Sequence, residues 1–212
     1  MCSGRVDLEF VLRAFSNGMD GVFIGGCRLG ECNYVTHGNY HALSMVLLCK
    51  RIMEHIGLNP ERLRIEFMSS AEGIFFAQVM NEFGKQVREL GPLGKGEGID
   101  ENGLKFKLEA ATKLVPYIKL VEREKLRVPV RSEEAYYEYY NSEEVDRLFS
   151  ELVLDKLAIT QIASLLRENP LSTSNVAEIL GLNLSEVSKH LDRLSRQGLV
   201  RYDESRRCYA LA

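Results

Sequence analysis

No apolar run in this chain approaches the roughly 20 residues that would cross a bilayer, and no basic start leads into an apolar stretch that would serve as an export signal. The expectation is a cytoplasmic protein with no membrane segment. There is no basic excess either: 27 Lys and Arg stand against 30 Asp and Glu, a net charge of −3, which gives no general attraction to nucleic acid. Paired C-x2-C spacing, the usual mark of a zinc site, is missing. So are G-x-G-x-x-G and P-loop glycine patterns, which leaves nucleotide binding unsupported, and no serine–histidine–acid motif points to a hydrolase. No internal repeat is present. The five cysteines are odd in number and follow no regular framework, which fits a reducing compartment rather than disulfides.

What is there begins with the position of those cysteines. Cys27 and Cys32 lie in Gly25-Gly26-Cys27-Arg28-Leu29-Gly30-Glu31-Cys32, directly after the apolar residues 21–24. Cys2 opens the chain in a similar setting, just ahead of a helix. C-x4-C is one spacing of thiolates around iron–sulfur clusters, and neighbouring glycines let backbone amides approach cluster sulfurs. The bland alternative is that Cys27 and Cys32 are small loop residues that ligate nothing, and spacing alone does not separate the two. Cys49 falls on a helix face with Met45, Ile52, Met53 and Ile56 and reads as a buried core thiol. Cys208 reads as structural. His37, His41, His55 and His190 share no spacing with the cysteines.

Hydrophobic residues make up 45% of the chain, enough for a sizeable core. The periodicity predicts a helix over Leu8–Ser16 capped by Asp7, a strand over 21–24, a helix over 41–56 closed by Gly57, and a strand over 64–68. Ser69-Ser70-Ala71-Glu72 reads as a cap into a helix reaching about Leu90. Alternation of this kind predicts an α/β fold with a small doubly wound parallel sheet, whose binding groups gather at the carboxyl ends of the strands, where Cys27 and Cys32 fall. Residues 91–98 read as a linker by composition, 104–124 as a helix interrupted or kinked at Pro116, and the tyrosine-rich 133–140 as a helix packed on its neighbours. Residues 154–168, 175–180 and 185–197 read as three helices, the last capped by Ser185, followed by a hairpin. That order is a winged helix. The expected organisation is a domain over 1–91, a linker and helical connector over 92–150, and a winged helix-turn-helix domain over 151–212.

Several motifs together are more specific than any of them alone. Met1-Cys2-Ser3-Gly4-Arg5-Val6-Asp7, then Gly26-Cys27-Arg28-Leu29-Gly30-Glu31-Cys32-Asn33-Tyr34, then Gly38-Asn39-Tyr40 closely resemble the delta subunit family of methyl-viologen-reducing hydrogenase. Pro60-Glu61-Arg62-Leu63-Arg64 and Ser69-Ser70-Ala71-Glu72-Gly73 are similar to the same family, so the resemblance covers residues 1–91. It implies a non-catalytic iron–sulfur subunit of an oxidoreductase complex that relays electrons through a 2Fe-2S cluster. Cys2, Cys27 and Cys32 fall on the family's cysteine positions and are the implied ligands. The implied partners are a protein resembling the A-type subunit of heterodisulfide reductase and hydrogenase or dehydrogenase subunits, with no small-molecule substrate of the chain's own. The family usually begins with a further strand and a C-x-x-C pair that this sequence does not have. The expectation is therefore an N-terminally incomplete domain with a fourth ligand from outside the chain. Arg28 and Leu29 also stand where the family often has His-Pro.

The C-terminal part resembles ArsR-type winged-helix repressors, notably in Leu184-Ser185-Glu186-Val187-Ser188-Lys189-His190-Leu191 and Gly198-Leu199-Val200. That resemblance implies that Ser185, Ser188, Lys189 and Arg193 would read bases, with Arg201, Arg206 and Arg207 holding phosphates. Over residues 151–212, however, eight Lys and Arg balance eight Asp and Glu. Phosphate neutralisation dominates DNA affinity, so a net charge of zero favours docking or dimerisation over DNA binding. The alternative function is a DNA-binding regulator whose cysteines sense redox state or metal.

Overall fold

The computed structural model describes residues 2–34 and 36–212; Met1, the first residue of the opening motif, and Val35 lie outside the described residues. The chain divides into one compact unit ending at Leu148 and a second over residues 149–212.

In the first unit, Asp7 accepts a hydrogen bond from the Glu9 N–H and starts α1 (Leu8–Ser16), whose Leu8, Val11, Leu12 and Phe15 form one buried stripe. Strand β1 (Val22–Gly26) pairs in parallel with β2 (Leu63–Phe67), with Val22 opposite Leu63 and Gly26 opposite Phe67. The crossover between them is α2 (Asn39–His55), buried over most of its circumference by Ala42, Leu43, Met45, Val46, Leu48, Cys49, Ile52 and Met53. A parallel pair requires such a crossover, and it carries both strand ends to the same edge. The fold is α/β, as the alternation predicts.

Helix α3 (Gly73–Leu90) buries only Val79 and Phe83. Helix α4 (Glu101–Lys125) packs on α1 and continues through Pro116, so the proline does not interrupt it. Ala111, Val115 and Ile118 are buried on either side of the proline, so tertiary packing holds a turn that the missing N–H weakens. Helices α5 (Glu133–Tyr140), which packs on α2, and α6 (Glu143–Phe149) follow.

Residues 91–98 join α3 to α4 as an ordered turn. They fold around Arg62, whose side chain is fully buried and donates to the carbonyls of Asp20 (3.0 Å), Gly91 (2.9 Å) and Leu90 (3.2 Å) and to both oxygens of Glu97 (2.5 and 3.1 Å). The Gly94 N–H also donates to Glu97. Glycine composition marks the turns, but a partner 35 positions away decides that they are fixed.

The second unit begins with a π-helical stretch (Ser150–Leu154) leading into α7 (Asp155–Glu168), then α8 (Thr173–Leu180), α9 (Leu184–Arg196), and the antiparallel strands β3 (Val200–Asp203) and β4 (Cys208–Leu211). Leu171 bridges to Tyr209 as a short third strand. Ile162, Leu166, Val176, Val187, Leu191, Leu194 and Val200 form its core. This is the winged-helix order. The cap of α9 is Asn183, which accepts from the Glu186 N–H, and not Ser185, which lies one residue inside the helix.

Candidate metal centre

The three thiols singled out from the sequence come from two segments at one edge of the first unit. Cys2 precedes the short 3-10 turn Ser3–Arg5, and Cys27 follows the last residue of β1. Cys32 closes the loop, which turns at Gly30 with φ +83, a conformation glycine reaches without penalty. The sulfurs of Cys2 and Cys32 stand 3.6 Å apart. Two thiolates on one tetrahedral metal with bonds of about 2.3 Å lie roughly 3.8 Å apart, so this separation suits a shared ion. Cys27 lies beside Cys32, and the two thiols interact. Among the described residues no group of three or more Cys, His, Asp and Glu side chains is drawn into a closed ligand set.

Close packing holds the segments. A Cβ on Gly38 would come within 2.3 Å of the Tyr34 carbonyl oxygen and 2.5 Å of Cys32 Sγ. One on Gly4 would come within 2.1 Å of the His37 carbonyl oxygen. Arg28 clamps the loop to the start of α3 through two bonds to Glu72, at 3.0 and 2.5 Å. That pairing, with a bond from the Ser69 N–H, holds the Glu72 carboxyl down to about 2.

The electrostatics of the thiols differ. The Tyr34 backbone N–H pulls Cys32 below its ordinary value of 9.0; burial opposes this and the Asn39 N–H adds to it. Burial pushes Cys27 up, and the neighbouring Cys32 and Cys2 push the same way. Cys49, by contrast, is fully buried in α2, with its thiol pushed up to about 12, and contributes nothing here. Cys208 is buried in β4. His37 bonds to Thr36, and His41 lies 3.8 Å from Glu122, so neither histidine joins the cysteines.

Two further residues belong to this edge and carry no sequence signal as ligands. Ser3 Oγ is buried without a hydrogen-bond partner, and a Cβ on Gly26 would come within 2.9 Å of it. An orphaned hydroxyl beside Cys2 and Cys27 suits an acceptor such as a sulfide or thiolate. Asn39, 1% exposed, donates to the carbonyl oxygens of Cys27 and Arg28. The donor set, the orphaned hydroxyl and the amides fit part of a thiolate-held iron–sulfur site.

Residues 1–91 match the family model described as methyl-viologen-reducing hydrogenase, delta subunit. The iron–sulfur subunit of the F420-non-reducing hydrogenase of Methanopyrus kandleri is 41% identical over 92 residues, which cover 43% of this chain and 69% of that protein. The chain belongs to this delta subunit family. The corresponding iron–sulfur subunit of Archaeoglobus profundus is 50% identical over 91 residues, 43% of this chain and 66% of the relative. The A-type subunit of the ferredoxin/F420H2-dependent CoB-CoM heterodisulfide reductase of Methanosarcina acetivorans is 48% identical over 94 residues, 44% of this chain but 12% of the relative. The chain thus spans about two thirds of the length of the hydrogenase relatives and a small part of the reductase protein. Residues 160–202 match a second family model, bacterial regulatory protein, arsR family. Both families are those the sequence motifs resemble.

The four positions expected to read DNA, Ser185, Ser188, Lys189 and Arg193, are all exposed on α9, as are Arg201, Arg206 and Arg207 on the wing. No helix among the described residues is long and apolar enough to cross a membrane.

Proposed function

We propose that this protein is an electron-transfer subunit of a hydrogenase/heterodisulfide reductase-type complex in the cytoplasm. Cys2, Cys27 and Cys32 are three ligands of a 2Fe-2S cluster, with a fourth donor from outside this set. The observation that carries the reading is the 3.6 Å approach of the Cys2 and Cys32 sulfurs, with Cys27 in the same loop at the carboxyl end of β1, in a segment whose relatives are named iron–sulfur subunits. When bound, the cluster supplies one-electron storage and release. The chain holds the thiols in place through the Gly4 and Gly38 contacts and the Arg28–Glu72 clamp. The partners under this reading are a protein resembling the A-type subunit of heterodisulfide reductase, because a segment of that kind of protein is similar to residues of this one, and hydrogenase or dehydrogenase subunits. Residues 1–91 would be the iron–sulfur domain, 92–150 the connector and 151–212 the winged helix.

The test is anaerobic purification from the native source, iron analysis, and a reduced EPR spectrum quantified per chain. Near one spin of 2Fe-2S type supports the assignment. Cys27→Ala is expected to lose the cluster and Cys49→Ala to keep it. Full iron in Cys27→Ala would sink the ligand assignment.

A second reading rests on the exposed α9 residues: a winged-helix regulator that binds its own promoter. It predicts salt-sensitive binding lost in the Lys189→Ala, Arg193→Ala double variant. The zero net charge of residues 151–212 argues for a docking or dimerisation role instead.

A further inference from the structure

We propose that Asn39 is the positioning residue of the cysteine loop and the donor that raises the reduction potential of the group the loop holds. This rests on the iron–sulfur reading above. Asn39 is the first residue of α2 and is 1% exposed. Its Nδ2 lies 2.9 Å from the Cys27 carbonyl oxygen, 2.7 Å from the Arg28 carbonyl oxygen and 3.6 Å from Cys27 Sγ. Its Oδ1 accepts from the Tyr40 N–H at 3.0 Å. The orientation of the amide is decided by these partners. Turned the other way, Oδ1 would face two carbonyl oxygens and Nδ2 a backbone donor, leaving every contact repulsive.

A buried asparagine costs free energy unless its polar atoms are bonded, and this one directs both donors at the loop that carries Cys27. One residue therefore braces the loop and approaches Cys27 Sγ from the end of the crossover helix. A donor directed at a ligating sulfur stabilises the more negative, reduced state, so its removal lowers the potential. Leucine has nearly the same shape and no donor. Aspartate would set a carboxylate against two carbonyl oxygens.

The test is an EPR-monitored potentiometric titration of wild type and Asn39→Leu at matched iron per chain. A lower midpoint potential in the variant is expected; an unchanged potential overturns the proposal, because a residue that merely braced the loop would leave the potential alone. Where Asn39→Leu does not fold, the Asn33→Asp protein, which keeps Asn39 and lacks the neighbouring amide, is labelled with side-chain 15N-asparagine. Hyperfine coupling of that nitrogen to the reduced cluster supports the proposal, and its absence overturns it. A wild-type protein without iron would instead defeat the iron–sulfur reading. The hold on the loop is then decided in the metal-free protein by NMR: Asn39 side-chain N–H protons protected from exchange support it, and exchange at the rate of a free amide refutes it.

Discussion

Removing Glu97 should destabilise the first unit far more than an ion-pair deletion usually does. Arg62 is completely buried and Glu97 nearly so, with 8% of its side chain exposed. Glu97→Ala leaves a guanidinium inside the protein that still faces the carbonyls of Asp20, Gly91 and Leu90 but has lost its counter-charge. Breaking a buried pair from one side costs about 3–5 kcal/mol, whereas an exposed pair is worth about 0–1 kcal/mol. Arg62→Leu should cost at least as much, since it removes the cation from Glu97 and the donors from four carbonyls, those of Asp20, Leu90, Gly91 and Pro92. Native-state hydrogen exchange of β1 and β2 amides reads the opening of this unit without reference to the other. A loss of less than about 1 kcal/mol for Glu97→Ala would refute the reasoning, because it would place the pair in the class of surface bridges. The pH dependence gives a second check. Burial alone would raise Glu97, but the Arg62 bonds and the Asn59 and Gly94 N–H groups outweigh it, so the folded group lies below its ordinary 4.5. Its contribution is therefore complete above 4.5 and is lost as pH falls through the lower, folded value. The acid slope of stability should be shallower in Glu97→Ala than in wild type.

Three other outcomes follow from named contacts. Gly38→Ala should reduce iron incorporation even where the fold survives, because the added methyl meets both Cys32 Sγ and the Tyr34 carbonyl; overpacking of this kind costs about 1–3 kcal/mol, and wild-type iron content would contradict it. Asn183→Ala should cost the winged helix about 1 kcal/mol in thermal or urea unfolding while Ser185→Ala is nearly neutral, since Asn183 holds the cap; the reverse order would restore Ser185 as the cap. Ser44→Ala should cost roughly 1–3 kcal/mol, measured by hydrogen exchange of α2, because it strands Glu122 and Tyr140 in the interior. Burial already holds the Glu122 carboxyl above its ordinary range, and Ser44 acts against that, so losing the hydroxyl should raise Glu122 further.

The elements most legible in the sequence are those where local signals agree with burial. Leu8, Val11, Leu12 and Phe15 repeat at helical spacing after a capping aspartate, and α1 forms over those residues. Cys49 sits among apolar neighbours on a helix face, and it is buried. The misreadings come where long-range contacts outweigh local composition. Glycine and proline at 91–98 mark a linker but do not show its course, which Arg62 fixes from a distance. Pro116 suggests a break, yet α4 is held by its buried flanks. At α9 two cap formers, Asn183 and Ser185, compete two positions apart, and the apolar Leu184 between them gives no ground for choosing the first.

The site divides along the same line. Cys27 and Cys32 are visible as a pair because they share one loop, and a parallel sheet explains why that loop lies at a strand's carboxyl end. The approach of Cys2 to Cys32 is a different matter, since 30 positions separate them and no periodic pattern joins them. What brings them together is close packing at Gly4 and Gly38, where the absent side chains matter more than any present one. Glycine in a loop usually reads as conformational freedom, but Gly38, with a φ of −97, lies outside the left-handed region. Its role is to leave room for a sulfur and a carbonyl. An alanine there would meet Cys32 Sγ and the Tyr34 carbonyl, so iron content is the more discriminating measurement than stability.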